Sequence, residues 1–166
     1  GDNFLAVVVK EWENFAYKKF KSKSNTLAIL RIGVVLDNNS GMLLQMSPFF
    51  KMGLGVIIGN GSQILSWIHI NDVSKAIIHI VDNNLGGVIN LVSPNPINNY
   101  TFSKRLGRLL KKPVFLKIPS IVIKSILGEI SLLLLSSSNI HPKILLDSKY
   151  KFEFNKIEEA LKDLIN

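Results

Sequence analysis

The nearly uninterrupted apolar stretch LAILRIGVVL, Leu27–Leu36, determines the expected fold of this 166-residue chain. Its branched side chains and its length predict a strand that is buried on both faces, as strands are in parallel sheets. Apolar residues at helical spacing over residues 3–20 predict a helix before it, and Val88–Val92 predicts a second buried strand. Strands that alternate with helices predict an α/β fold.

The other elements follow from hydrophobic periodicity and from turn residues. Residues 63–70 predict an extended segment, and Asn71 is expected to cap the helix after it. Val56–Ile58 lies within a glycine-punctuated loop, and a short strand is expected at residues 114–118. Further helices are predicted at residues 42–52, 71–81, 100–111, 120–127, 131–136, 141–148 and 156–165.

The composition is apolar for a domain of this size, with 47% hydrophobic and 19% charged residues. Either the core is unusually large, or one face is normally covered by a further part of the protein. Only two strands are predicted to be centrally buried, and two strands make a poor sheet alone. This favours the second alternative.

Several function classes are disfavoured by residue content. The net charge is +8, but the lysines are scattered and do not alternate with aromatic residues, so we expect no nucleic-acid partner. The absence of cysteine excludes thiolate chemistry, and three histidines at positions 69, 79 and 141 do not suggest a metal site. The apolar stretch Ile118–Leu135 is interrupted by Lys124 and Glu129, so we expect no membrane partner and a cytoplasmic location.

Three segments follow one another along the chain: LRIGVVL at 30–36, SWIHINDV at 66–73 and GVINLVSPNPINNYTF at 87–102. Together they resemble the extended short-chain dehydrogenase/reductase family of the NAD-dependent epimerase/dehydratase type. They are most similar to its atypical subgroup, described as sugar-nucleotide epimerase or cell-division-inhibitor-like, with a C-terminal domain of unknown function. The resemblance implies elements of a partial Rossmann-like sheet with a substrate-loop insertion at 1–92. It also implies a smaller mixed α/β substrate-side domain at 93–166.

The resemblance also implies that the half that grips the dinucleotide is absent. In this family a glycine-rich turn between a strand and a helix holds the pyrophosphate. Gly53–Gly55 and Gly59–Gly61 lie in a loop after a predicted helix, so they are not that turn. We therefore expect NAD or NADP to bind the full-length protein, and we expect no tight binding by this chain alone.

The catalytic pair of the family, Tyr-x-x-x-Lys, is not recognisable. Its register relative to Glu13 falls on residues 4–5 for the Tyr and 8–9 for the Lys, and these are Phe, Leu and Val. The same spacing occurs at Tyr17/Lys21 and Tyr100/Lys104, but these pairs lie at other places in the fold. No catalytic residue is assigned, and whether the chain is part of an enzyme stays open.

Ligand-binding residues are implied by the resemblance and weighed against structural roles. The backbone of Gly33, Val34 and Val35 is expected beside the nicotinamide, with Val35 the best candidate for a contact or else an ordinary buried residue. Arg31 sits in an apolar strand, where a structural ion pair between sheet and helix is favoured over ligand contact. The expected substrate-pocket residues are Arg31, Met46, Phe49, Trp67, His69 and Asp72.

Some of these residues have a structural alternative. Met42, Met46, Phe49 and Phe50 have helical spacing, which core residues also show. His69 and Asp72 are expected to share a hydrogen bond, with Asp72 capping the following helix. A structural role for this pair is favoured over a catalytic one.

Two positions depart from the pattern of the subgroup. Ser62 stands where a basic residue is usual, and Asp37 stands where glycine is usual. The loss of a basic side chain argues against a phosphorylated sugar as ligand.

Two functions follow from the resemblance. The first is the C-terminal fragment of an NAD(P)-dependent epimerase/dehydratase-like oxidoreductase that acts on a small, sugar-nucleotide-like substrate. The second is a non-catalytic NAD(P)-binding or regulatory module that has lost the Tyr-Lys pair. The expected partners are a small-molecule substrate and either the missing N-terminal half or a second copy that covers the exposed apolar face.

Overall fold

A computed structural model describes residues 4–20, 26–127, 135 and 137–165, and it confirms the mixed α/β class. The helices are α1 (Phe4–Phe20), α2 (Gly41–Lys51), α3 (Ile70–Asp82), α4 (Asn99–Leu109), α5 (Ser120–Leu127), α6 (Lys143–Asp147) and α7 (Ile157–Ile165). The strands are β1 (Ala28–Ile32), β2 (Val34–Leu36), β3 (Val56–Ile58), β4 (Ile64–Leu65), β5 (Trp67–His69), β6 (Gly87–Leu91), β7 (Ile97–Asn98) and β8 (Leu116–Ile118). The helix expected at 131–136 lies outside the described residues except for Leu135.

The apolar stretch at 28–36 forms two short strands separated by Gly33. β1 pairs in parallel with β6, and β2 pairs in parallel with β5. Gly33 N–H donates to Leu91 O at 3.1 Å, and Val34 N–H donates to Ser66 O at 2.9 Å. The chain thus exchanges one neighbouring strand for another within two residues.

Gly33 is the residue that permits this exchange. A Cβ at this position would lie 2.5 Å from Ser66 O and 2.6 Å from Val92 Cγ1, closer than non-bonded atoms approach. The two neighbouring strands also meet here, since Ser93 N–H donates to Trp67 O at 2.6 Å. A side chain at this point would push the strands apart.

The other two strand pairs connect distant parts of the chain. β3 pairs in parallel with β8, and β4 pairs antiparallel with β7. Val56–Ile58, expected within a loop, is therefore a strand that gains its partner from residues sixty positions away in sequence. Both pairs cross the domain boundary expected between residues 92 and 93, and that boundary stays a prediction.

The core is divided into two clusters by the β2–β5 pair. Leu36 and Trp67 face the first cluster, together with Phe50, Phe102 and Leu161. Alternate residues of a strand point to opposite faces. Ile68 and Val35 accordingly belong to the second cluster.

Several local expectations are corrected. The strand over 27–36 is not buried on both faces, because Ile32 is 50% exposed and the Arg31 side chain is 53% exposed. Arg31 forms a bidentate ion pair with Glu13 of α1, with both N–O distances 2.7 Å. The favoured ion pair between sheet and helix is therefore present, but on the surface. It lowers the pKa of Glu13 through the hydrogen bond from Arg31.

The cap of α3 also differs from expectation. His69 is the capping residue, and its Nδ1 accepts a hydrogen bond from Asn71 N–H at 3.1 Å. Asn71 and Asp72 lie within the first turn of the helix instead. The buried imidazole takes the place that a small polar side chain more often fills.

One face of α1 leaves large apolar side chains in solvent. Trp12 is 71% exposed, Phe15 is 66% exposed and Val7 is 53% exposed.

In the part of the chain that the structure describes, no helix is long and apolar enough to cross a membrane.

We predict that Gly33→Ala lowers the free energy of unfolding by about 3 kcal/mol, because the new methyl group overlaps Ser66 O and Val92. The matched control is Gly53→Ala, where a Cβ meets no atom within 4 Å and only the φ of +78° is unfavourable. That control should cost about 1–2 kcal/mol. Urea unfolding of both variants measures the difference, and equal losses would contradict the role given to Gly33.

Candidate functional site

A cleft of about 450 Å³ opens beside Gly33, where the chain exchanges its neighbouring strands. Ile32, Gly33 and Val34 form one wall, and Met42 and Met46 of α2 form another. The volume lies in the range of small-molecule sites. The remaining lining residues are Ile58, Gln63, Ile64, Leu65, Ser66, Asn99, Phe102, Ser138 and Ile140.

The polar groups of the cleft are few, and several are engaged within the protein. Ser66 Oγ donates to Ser138 O and accepts from Ile140 N–H. Asn99 Oδ1 accepts from Ile58 N–H at 2.9 Å. Gln63 Nε2 donates to Ile58 O at 3.2 Å. Gln63 Oε1 is buried and has no hydrogen-bond partner among the described residues.

The residues predicted for the site divide into two groups. Gly33, Val34 and Met46 line the cleft. Val35 faces the second core cluster, and Phe49 is 56% exposed. Neither of these two lines the cleft, nor do Arg31, Trp67, His69 and Asp72. The cofactor contact at 33–35 stays a prediction.

The four helical apolar residues of α2 have different surroundings. Phe50 is 1% exposed and belongs to the first core cluster. Met42 and Met46 pack against that cluster and line the cleft as well. The two methionines therefore contact the core and also line the cleft, and their role in a substrate pocket stays a prediction.

Asp72 holds a distant segment of the chain. Its carboxylate is fully buried, and Oδ1 accepts from the Tyr150 hydroxyl at 3.0 Å and from Glu153 N–H at 2.9 Å. Oδ2 accepts from Phe154 N–H at 2.9 Å. Burial and the neighbouring Asp72 carboxylate raise the pKa of Tyr150, which keeps the hydroxyl protonated as a donor. The expected hydrogen bond between His69 and Asp72 is absent from this arrangement, because Asp72 is directed at residues 150–154.

His69 lies next to this cluster. Its ring stacks on Phe154 with centroids 3.9 Å apart, and its Nε2 lies 3.3 Å from Asp163 Oδ2, too poorly aligned for a hydrogen bond. Burial lowers the pKa of His69, and the carboxylates of Asp163 and Asp72 offset part of that effect. His69 is therefore neutral at neutral pH and serves as a cap and a packing surface.

Tyr17, Tyr100 and Lys104, the described members of the two pairs with catalytic spacing, do not line the cleft. Lys104 Nζ donates to Val114 O at 2.7 Å and lies 5.6 Å from the centre of the Tyr100 ring. Tyr17 is on α1, and Lys21 lies outside the described residues. Neither tyrosine is among the residues that line the cleft.

The glycine-rich segments do not fit the pyrophosphate of a dinucleotide. Gly53–Gly55 joins helix α2 to strand β3, and Gly59–Gly61 joins strand β3 to strand β4. Neither is a strand-to-helix turn, which is the geometry that presents N–H groups to a phosphate. Within residues 4–20, 26–127, 135 and 137–165, no three acidic or histidine side chains are grouped to hold a metal ion.

The sequence does not predict that Gln63, Ser138 and Ile140 line the cleft. Gln63 has a signal in its position, since it is a polar residue between the glycine-rich segment Gly59–Gly61 and the half-buried strand β4. Ser138 and Ile140 have no such signal, because they reach the cleft only through the hydrogen bonds that join residues 137–140 to Ile64 and Ser66.

We predict that Asp72→Asn lowers the free energy of unfolding by about 3 kcal/mol, because an amide offers one acceptor oxygen where three donors converge. The control is Asp82→Asn at the exposed end of the same helix, which should change stability by no more than about 0.5 kcal/mol. Thermal or urea unfolding measures both. A loss for Asp72→Asn as small as that of the control would contradict the role of the carboxylate.

We also predict that His69 makes stability depend on pH. Because the folded state lowers its pKa, the unfolded chain takes up this proton first, and stability falls as pH drops below about 6.5. His69→Gln should reduce the difference in unfolding free energy between about pH 7.5 and about pH 5.5. The exposed His141→Gln variant should retain the full difference. An unchanged difference in His69→Gln would show that His69 is not the responsible group.

The chain is similar to known proteins over nearly its whole length. Residues 118–164 match the family described as "Domain of unknown function (DUF1731)". The chain is 34% identical over 166 residues to the chloroplastic homologue of epimerase family protein SDR39U1 of Arabidopsis thaliana, covering 99% of this chain and 47% of that protein. It is 33% identical to the Mus musculus protein of the same name, covering 98% of this chain and 56% of that protein.

Solved structures agree with these relatives. The human epimerase family protein SDR39U1 (isoform 2), solved with NADPH, superposes with a TM-score of 0.91 at 31% identity, over 98% of this chain and 55% of the human chain. A nucleoside-diphosphate sugar epimerase from Corynebacterium glutamicum superposes with a TM-score of 0.76 at 28% identity, over 99% of this chain and 31% of that one. This chain spans about half the length of the curated relatives it matches. The chain is thus similar, over nearly its whole length, to about half of an epimerase family protein, which confirms the resemblance stated from the sequence.

Proposed function

We propose that this chain forms the substrate-side part of an NADP(H)-dependent oxidoreductase of the epimerase/dehydratase type that acts on a small molecule. The observation that carries the proposal is the position of Gly33 and Val34 on the wall of a cleft of about 450 Å³. The family resemblance implies that the same backbone lies beside the nicotinamide. A substrate in the cleft would then adjoin the reactive end of the dinucleotide.

The choice of NADP(H) over NAD(H) rests on a relative. The human protein was solved with NADPH and is 31% identical to this chain. When bound, the dinucleotide supplies a hydride acceptor or donor. The backbone of residues 33–35 would line the edge of the nicotinamide. The side chains of Met42, Met46 and Phe102 would exclude water from the cleft.

A non-catalytic module that binds NADP(H) is the second candidate. It is favoured by the apolar residues at 4–5 and 8–9, where the catalytic Tyr and Lys are expected, and by the lining of the cleft. Among the described residues, no tyrosine, histidine, lysine or carboxylate lines it. A protein of this kind would bind the dinucleotide and a small molecule without turnover.

The exposed face of α1 is proposed to contact the dinucleotide-binding part of the protein. Trp12, Phe15 and Val7 form an apolar surface on this helix. The relatives carry about as much chain again as the part matched here. Acrylamide quenching of Trp12 in the complete protein measures the contact, with weak quenching supporting it and strong quenching opposing it. A second copy on this face would instead make the shielding depend on concentration.

The test of function is a titration of the complete protein with NADPH and with NADH, followed by assays with carbonyl, alcohol and sugar-nucleotide substrates. We expect NADPH to bind more tightly than NADH and at least one substrate to change NADPH absorbance. Binding without turnover of any substrate would favour the non-catalytic module. Failure of both dinucleotides to bind would overturn both candidates.

A further inference from the structure

We propose that Asn99 is a substrate-binding residue, and that its side-chain Nδ2 donates a hydrogen bond to an oxygen atom of the molecule bound in the cleft. This assignment rests on the proposed function, because it treats the cleft as the substrate site. It adds a residue that orients the substrate and the group that this residue recognises, an acceptor oxygen such as that of a carbonyl.

The fold holds both the backbone and the side chain of Asn99 in place. Asn99 is the first residue of α4. Its backbone N–H donates to Gln63 O at 2.9 Å, and its Oδ1 accepts from Ile58 N–H at 2.9 Å. Gln63 and Ile58 line the cleft together with Asn99. The remaining group of the Asn99 amide therefore has a defined position, as a binding group requires.

The hydrogen bond from Ile58 determines which end of the Asn99 amide is free. A backbone N–H can meet only an acceptor, so the atom beside Ile58 N–H is the oxygen and the other atom is Nδ2. No described residue accepts a hydrogen bond from Nδ2, and water reaches this atom, in contrast to the fully buried Gln63 Oε1. Asn99 thus contributes a free N–H donor to the lining of the cleft.

The other polar side chains of the lining differ from Asn99 in this respect. The Ser66 hydroxyl donates to Ser138 O and also accepts within the protein, and Gln63 Nε2 donates to Ile58 O. Ser138 brings a second hydroxyl, whose hydrogen turns about the C–O bond and has no single direction. Among these four side chains, Asn99 has the donor nitrogen that the fold fixes in position and that no described acceptor meets.

Asn99→Asp separates the binding role from the structural one. The carboxylate keeps an oxygen for Ile58 N–H and replaces the N–H donor with a second acceptor of nearly the same shape. The probes are cyclohexanone, whose carbonyl can only accept, and methylenecyclohexane, in which a CH₂ group replaces the oxygen. We expect Asn99→Asp to weaken cyclohexanone binding by the complete protein about three- to tenfold, the contribution of one hydrogen bond, and to leave methylenecyclohexane binding unchanged. Ligand-observed NMR titrations measure both affinities.

The control variant is Asn98→Asp, the same substitution at the neighbouring residue, which does not line the cleft. Asn98 Oδ1 accepts from Thr101 N–H at 2.8 Å, and the carboxylate retains this bond. Because the added charge lies at the same helix end, this variant controls for electrostatic effects and should bind both probes as the wild-type protein does.

Four results would each overturn the assignment: unchanged cyclohexanone affinity in Asn99→Asp, an equal loss for both probes, the same loss in Asn98→Asp, or no binding of cyclohexanone by the wild-type protein. NADPH titration of the same samples reports on the proposed function separately, since NADPH binding can fail while the effect of Asn99→Asp on cyclohexanone stands.

Discussion

The exchange of strand neighbours at Gly33 is the constraint on which the rest of the described structure depends. Two consecutive backbone N–H groups, of Gly33 and Val34, donate to different strands, β6 and the segment before β5. This arrangement needs the strands to approach within a distance that excludes a Cβ. The same exchange leaves space on one side of the sheet, and the cleft occupies it.

Residues from later in the chain complete the cleft and the packing around Gly33. Residues 137–140 bond to Ile64 and Ser66 and form a wall of the cleft. Asp72 gathers residues 150–154 through three donors, and β8 extends β3. Later residues are thus attached to the middle of the chain by polar contacts, which require specific geometry. Large apolar side chains such as Trp67 and Phe102 then fill the space between them.

Much of the fold was predictable because its signals are local. The apolar stretch at 27–36, the helix over 3–20 and the strand near 88–92 all follow from periodicity within a short window. The strand at Val56–Ile58 was not, because three residues carry too little pattern and the partner β8 is distant. The capping residue of α3 was not predictable for a similar reason. Nothing in the local sequence shows that the His69 ring is buried and stacked on Phe154.

The site was predictable only in part, for the same reason. Gly33, Val34 and Met46 were named from the sequence and line the cleft, whereas Gln63 and Ser138 were not named. The sequence places Trp67, His69 and Asp72 in the expected substrate pocket and favours a structural role for His69 and Asp72. In the structure Trp67 fills the core, and the other two contact residues 150–154. Whether a polar side chain keeps an unpaired acceptor depends on all the hydrogen bonds around it. These bonds join residues that are far apart in the sequence, so local patterns do not predict the outcome.

A crystal structure of the complete protein with NADPH tests the central claim most directly. The claim predicts that the nicotinamide ring lies within about 4 Å of the backbone at Gly33–Val35 and opens onto the cleft lined by Val34, Met46 and Gln63. A nicotinamide ring bound away from this segment, or a cleft filled by the protein's own chain in that complex, would contradict it.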